Sequence, residues 1–310
     1  MTGRLIAALR SRWVRFGFLA VALTLAVFAL LHERQAVLGA ISQLPWSTLG
    51  ASGGAALIYV GLTMLAWRAV LADLGSHLTV GDASKVFFLS QLGKYVPGGV
   101  WNVVAAAELG AGHRIPRRRS LSAMAVTILV SIVTGMAVAV VAISLGPPVV
   151  SDRYGWVVWT LPVFLASLAP PVLNRILGFL LRISKRPPLE HPLTANGAGA
   201  AIGWSVLSWL AAGLHIWLLA TAEGLPATPR SFALATGGYA LAWVVGFMVV
   251  FVPAGLGARE AVLVATLVGE VESGGVLAVV LISRLTLTLV DVGLGLVGLA
   301  LMRVGRRARV

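Results

Sequence analysis

Six charged side chains, Lys94, Glu108, Arg259, Glu260, Arg284 and Asp291, lie within long apolar stretches of this chain. Ionisable groups at membrane depth are expensive, and each one requires a partner or a task. Lys94 and Arg259 stand beside the only places where such a stretch is broken by proline and glycine. The first break reads Lys94-Tyr95-Val96-Pro97-Gly98-Gly99-Val100-Trp101, and the second reads Val252-Pro253-Ala254-Gly255-Leu256-Gly257-Ala258-Arg259-Glu260. After Pro97 and after Pro253 a new half-helix begins, with unpaired N–H groups and the positive end of the helix dipole. Gly98, Gly99, Gly255 and Gly257 let a ligand approach the backbone, and the two cations add full charge, so each break has the makings of an anion site. Inside a bilayer, the obvious anion is a lipid phosphate. Under the competing explanation the charges only pair with one another, Lys94 with Glu108 across the first break and Arg284 with Glu260 between helices. In the functional arrangement Glu260 orients Arg259, and Arg284 with Asp291, seven residues on and on the same face, forms a switchable pair.

The elements that would position these groups follow from composition. Of 310 residues, 58% are hydrophobic and 11% charged, far from the usual mix of about half apolar and a quarter charged. An integral membrane protein is expected, with 1–310 as one transmembrane domain. The longest polar loop, 182–196, is too short for a soluble catalytic domain. Six stretches can cross a bilayer, which takes about 20 apolar residues: 16–31, 48–72, 120–146, 156–181, 197–222 and 276–302. The Arg-rich N-terminus before Phe16 is expected to lead into a retained first span, since no cleavage site follows it. Two stretches remain, 86–111 and 231–270, each divided at its break. Backbone broken at membrane depth survives only where protein or a watery cavity shelters it, so both are expected as re-entrant hairpins. The longer arms of the second leave open whether it dips or crosses.

The net charge of +13 does not point to nucleic acid, because the basic residues cluster between apolar segments, where they set orientation. With the N-terminus in the cytoplasm, the outer loops carry only Arg34, Arg153 and Arg230, and the clusters Arg117-Arg118-Arg119 and Arg303 to Arg309 fall inside. Both termini are then cytoplasmic. Three full spans separate the breaks, so the first hairpin opens to the cytoplasm and the second to the exterior, an inverted repeat of the kind that lets one site face either side. Arg68 and Arg175 lie near span ends, where long side chains reach the interface.

Other chemistry is sparse. With no cysteine there is no thiol or disulfide chemistry, and no zinc, phosphate-loop, hydrolase-elbow or dinucleotide motif occurs, so neither metal nor cofactor is expected. Gly50-Ala51-Ser52-Gly53 resembles the GxSG of rhomboid proteases, and the topology puts His215 on the same side as Ser52. A hydrogen-bonded histidine at an interface of small residues is the simpler explanation, with the glycines at 50, 53, 54, 293, 295 and 298 as close-packing surfaces.

The two breaks carry a family resemblance. Lys94 through Trp101 is similar to the Lys-Tyr-Ile/Val-Pro-Gly-Gly-Val-Trp of the flippase-like membrane domain of lysylphosphatidylglycerol synthases, the multiple peptide resistance factors. Pro253, Gly255, Leu256, Gly257, Arg259 and Glu260 match the second motif of that family, Pro-Gly-Gly-Leu-Gly-Val-Arg-Glu, with Ala254 and Ala258 as small departures. The resemblance implies movement of an anionic or aminoacylated phospholipid between leaflets of the cytoplasmic (plasma) membrane. Lys94, Tyr95, Pro97, Gly98, Gly99, Trp101, Pro253, Gly255, Gly257, Arg259 and Glu260 would then line the headgroup route, with Glu108, Arg284 and Asp291 as charge partners. The family's synthases add a soluble aminoacyl-transfer domain. The chain is expected to be a stand-alone member without it, and hence not an enzyme. Membrane lipids with anionic headgroups are the expected partners, and a separate lipid-modifying enzyme and a second copy of the chain are further candidates. In the alternative function the protein binds or presents a lipid to such an enzyme without moving it.

Overall fold

A computed structural model of the chain describes residues 44–96, 100–183, 191–249, 255 and 257–307. The expected first span 16–31, and Pro97, Gly98, Gly99 and Pro253, lie outside the described residues. Helices account for the regular structure, and no strand occurs among the described residues. The protein is an all-α polytopic membrane protein.

Among the described residues, five helices are long and apolar enough to cross a membrane: α1 (Trp46–Asp73), α4 (Arg117–Leu145), α8 (Ala195–Ala222), α9 (Pro229–Met248) and α11 (Ser273–Arg307), the last by its segment up to Met302. At 28 residues, α1 and α8 are about 42 Å long. Their outward residues are apolar, with Ile58 58% and Leu207 46% exposed, a surface fit for lipid and costly in water. The expected span 156–181 is not continuous. Between α5 (Pro148–Tyr154) and α7 (Pro170–Ile183) the chain passes through a 3₁₀ turn at Gly155–Thr160 and the short α6 (Leu161–Ser167), and the two arms meet at 75°. Pro162, Pro170 and Pro171 explain the interruption, since each lacks an N–H and crowds the preceding turn.

Polar contacts at the helix ends separate two faces. On one, the Asp73 carboxylate accepts from Thr194 N at 2.7 Å and Thr194 Oγ1 at 2.6 Å, joining the end of α1 to the start of α8. On that same face Arg119 donates to the Gly75 carbonyl at 2.7 Å and to Ser76 Oγ at 2.8 Å, which adds the start of α4. On the other, Trp217 Nε1 donates to Ser231 Oγ at 3.0 Å, and a Cβ placed on Gly275 would lie 3.1 Å from that of Glu223. These are the groupings that alternate crossings require.

Both broken stretches return to the face they leave. The first comprises α2 (Val80–Gln91), a 3₁₀ turn at Leu92–Tyr95 and α3 (Trp101–Ala111). Its ends meet where His113 Nε2 sits 3.8 Å from Asp82 Oδ1. The second comprises α9 and α10 (Ala258–Leu267), antiparallel, with Gly238 against Thr266 and Gly246 against Arg259 and Gly255. Although α9 is long enough to cross, its partner arm brings the chain back to Val271 beside Gly275. The two hairpins therefore open to opposite faces. Close packing uses two of the glycines the sequence suggested, Gly295 and Gly298, and others it did not, such as Gly237. A Cβ on Gly50, Gly53, Gly54 or Gly293 would meet nothing within 4 Å, whereas one on Gly295 would lie 2.9 Å from Leu92 and one on Gly237 2.4 Å from Ala142.

Candidate functional site

Each hairpin presents its charged residues because of local backbone choices. In the first, Thr79 Oγ1 accepts from Asp82 N at 3.1 Å and caps α2. Three turns later the helix tightens to 3₁₀. A Cβ on Gly93 would lie 2.6 Å from Asn102 N and 2.7 Å from the Trp101 carbonyl carbon, so only glycine lets the arms cross this closely. Lys94 and Tyr95, directly after that crossing, face α11. In the second hairpin Gly255 has φ +68°, and a Cβ there would lie 2.8 Å from Gly246 Cα. Gly257, with φ +83°, precedes α10, and Glu260 in the first turn accepts from its N–H at 2.6 Å.

The charges pair through α11. Lys94 Nζ lies 2.6 Å from Asp291 Oδ2, and Tyr95 Oη donates to the same oxygen at 2.8 Å. The Asp291 side chain is 1% exposed, and its Oδ1 is buried with no hydrogen-bond partner among the described residues. Two turns away, Arg284 pairs with Glu260. Arg259 packs its guanidinium 5.9 Å from the centre of the Tyr239 ring, a cation–π distance, and its buried Nε has no hydrogen-bond partner among the described residues.

These pairings differ from the sequence expectations at three points. Glu108 does not meet Lys94. It forms a two-pronged contact with Arg117, at 2.6 Å from Nε and 3.0 Å from the terminal nitrogen, because the last turns of α3 lie against the start of α4. Asp291 pairs with Lys94 and Tyr95 rather than Arg284. Glu260 holds Arg284 and the Gly257 amide, leaving Arg259 to the tyrosine ring. The Arg284–Glu260 contact is the one expected pairing that forms.

Lys94, Tyr95, Gly255, Arg259, Glu260, Arg284 and Asp291 line one cavity of about 180 Å³ between the hairpins. That is more than ten times the space one water needs by the same kind of measure. Trp101, Glu108 and Gly257 are not on its wall. Its lining adds residues with no charge to draw attention in the sequence: Tyr59 and Thr63 of α1, Gln91 of α2, Asn102 of α3, Thr127 and Ser131 of α4, Tyr239 of α9 and Ser283 of α11. Three cations and two carboxylates give the wall one excess positive charge. Asn102, first-turn neighbour of a Pro/Gly break, was within reach of the helix-terminus reasoning; Tyr59 and Tyr239 carry no sequence signal, because tertiary packing alone brings them in.

Ser52 and His215 do meet. Ser52 Oγ lies 2.7 Å and its carbonyl oxygen 3.0 Å from His215 Nδ1, and Nε2 lies 2.9 Å from Ser283 Oγ. All three side chains are buried, and of the three only Ser283 borders the cavity. His215 thus ties α1 and α8 to the wall formed by α11.

Spanning helices, two oppositely opening broken hairpins and a charged cavity between them define a polytopic membrane protein with a sheltered polar site. The family model for the lysylphosphatidylglycerol synthase TM region matches residues 17–295, and the chain belongs to that family. Among curated proteins, none matches the chain.

Proposed function

We propose that the protein is a lipid flippase, moving a phospholipid with an anionic or aminoacylated headgroup between leaflets of the cytoplasmic membrane, with both termini cytoplasmic. Family membership supports a role in membrane lipid chemistry. The observation that carries the transport reading is that Lys94 and Arg259, from opposite halves of the sequence and from hairpins of opposite orientation, line a single cavity. In this reading the headgroup phosphate enters between them and binds the Arg259 guanidinium and the Lys94 ammonium, while its chains stay in the surrounding lipid. The apolar rest of the wall, including Phe87, Trp243 and Leu263, would tolerate the glycerol and first methylenes. Broken hairpins facing opposite ways supply the two exits that alternating access requires.

The test uses protein reconstituted in liposomes with a trace of headgroup-labelled phosphatidylglycerol and a membrane-impermeant quencher. Wild-type protein should expose inner-leaflet label to the quencher. Lys94→Ala and Arg259→Ala, at equal incorporation, should fall to the rate of protein-free liposomes. Full activity in both variants overturns the assignment.

A further inference from the structure

The Lys94–Asp291 contact has a consequence for what must accompany an anion into the cavity. The Asp291 carboxylate is satisfied only in part: Oδ2 takes Lys94 at 2.6 Å and the Tyr95 hydroxyl at 2.8 Å, and Oδ1 has no partner among the described residues. Lys94 is the more accessible member, with 31% of its side chain exposed against 1% for Asp291. A phosphodiester entering the cavity can draw Lys94 toward itself, but Asp291, 1% exposed, cannot follow, and the ligand that fills the cavity keeps water from taking the cation's place. A buried carboxylate stripped of its cation is costly by several kcal/mol and takes up a proton instead.

We propose that an anionic phosphodiester and one proton bind this cavity together, the proton settling on Asp291 when the ligand takes Lys94. This rests on the reading that Lys94 holds the headgroup. The other ionisable groups around Asp291 do not offer a substitute cation. On its own helix Arg284 is engaged by Glu260, and on α10 Arg259 faces the Tyr239 ring. From the first hairpin Tyr95 already donates its one hydroxyl proton to Oδ2, and Tyr59 and Tyr239 on the remaining wall carry no positive charge. Binding balances in charge: a monoanion and a proton enter, and the wall together with its ligand keeps the one excess positive charge of the empty wall. By reciprocity, acid must then tighten the anion and the anion must tighten the proton.

The experiment is titration calorimetry of the full chain in micelles near neutral pH, using dihexanoyl-phosphatidylglycerol as probe in two buffers of different ionisation enthalpy. Its phosphodiester does not titrate there, so any proton taken up belongs to the protein. About one proton per probe is expected in wild type, with affinity falling about tenfold per pH unit where Asp291 is ionised before binding. Asp291→Asn should bind with no proton uptake and a flat pH profile. Glycerophosphoglycerol, the same phosphodiester without chains, run in parallel, should also bring one proton if the site reads the phosphate, and only the lipid should do so if the chains are needed to enter. Probe that binds through Lys94, by loss in Lys94→Ala, without proton uptake overturns the coupling and leaves the headgroup site standing. Proton uptake that persists in Asp291→Asn also overturns it. Binding indifferent to both Lys94→Ala and Arg259→Ala removes the site and the coupling together.

Discussion

Glu260 makes two contacts that nothing nearby can replace, so its removal should be among the costliest single changes in the described structure. Its carboxylate pairs with Arg284 and accepts from the Gly257 amide. Two unit charges in contact at about 3 Å, with an effective dielectric of about 20, attract by about 5 kcal/mol. Each side chain is 20% exposed, and screening, desolvation and lost rotamer freedom reduce the net coupling to about 2 kcal/mol. Capping the Gly257 N–H adds about 1 kcal/mol. Glu260→Ala should therefore destabilise by about 3 kcal/mol, and Glu260→Gln, which keeps an acceptor for the amide, by about 2 kcal/mol. Arg284→Met should cost about 2 kcal/mol, and the double variant Glu260→Gln/Arg284→Met little more than either single change, since the uncompensated charge is gone. Unfolding in mixed micelles by increasing dodecyl sulfate, followed by tryptophan fluorescence, gives the four stabilities of the cycle. A coupling below about 0.5 kcal/mol would refute the view that this pair holds the second hairpin to α11.

Gly93→Ala should force the arms of the first hairpin apart, because the new methyl would lie 2.6 Å from a backbone nitrogen. A loss of about 2 kcal/mol is expected in the same assay, against a change within about 0.5 kcal/mol for Gly54→Ala, whose Cβ meets nothing within 4 Å; equal effects would remove the steric argument. Asp82, at the cytoplasm-facing start of that hairpin in the proposed orientation, is held below the usual carboxylate range first by its hydrogen bond to Lys85, at 2.8 Å, and further by Thr79 and His113. A lowered carboxylate contributes stability that is complete above the ordinary range and lost as pH falls through its folded value. Acid should therefore loosen the hairpin base, read as faster amide exchange over 80–91, and Asp82→Asn should lack that acid step.

Spans legible in the sequence were those in which apolar length and silence of helix breakers agreed: 48–72, 120–146, 197–222 and 276–302 correspond to α1, α4, α8 and α11 within a few residues. The expectation of one span over 156–181 weighed hydropathy above Pro162, Pro170 and Pro171, and the bend of 75° shows which property decides local geometry. At the site, the breaks identified which segments matter, because a proline and glycines beside a cation are a local signal. Pairing was legible only in part, since the partner of a buried charge depends on which helices adjoin. Lys94 and Glu108 share a hairpin, yet Glu108 lies one arm's length further on, toward the membrane surface, where Arg117 is nearer. The Ser52–His215 proximity followed from topology, but Ser283 as the third member did not, since no motif links it to the other two.

The spacing of Arg284 and Asp291 on α11 ties the two hairpins together. Seven residues on one helix are about 10.5 Å apart along the axis and share a face. Arg284 grips the hairpin that opens one way, and Asp291 grips the hairpin that opens the other. A ligand that draws Lys94 away from Asp291 releases the first hairpin from α11 while the second stays held through Glu260. A ligand that instead draws Arg284 from Glu260 does the opposite. Under the proposed transport function, one rigid helix with a releasable contact at each of two heights would favour states in which one hairpin is free and the other fixed. Releasing both at once leaves the buried Asp291 and the part-buried Glu260 without their cations, at a cost of about 2 kcal/mol or more each. Under the proposed transport function, that exclusion would keep the carrier from opening to both faces together, and the seven-residue interval between Arg284 and Asp291 would set it.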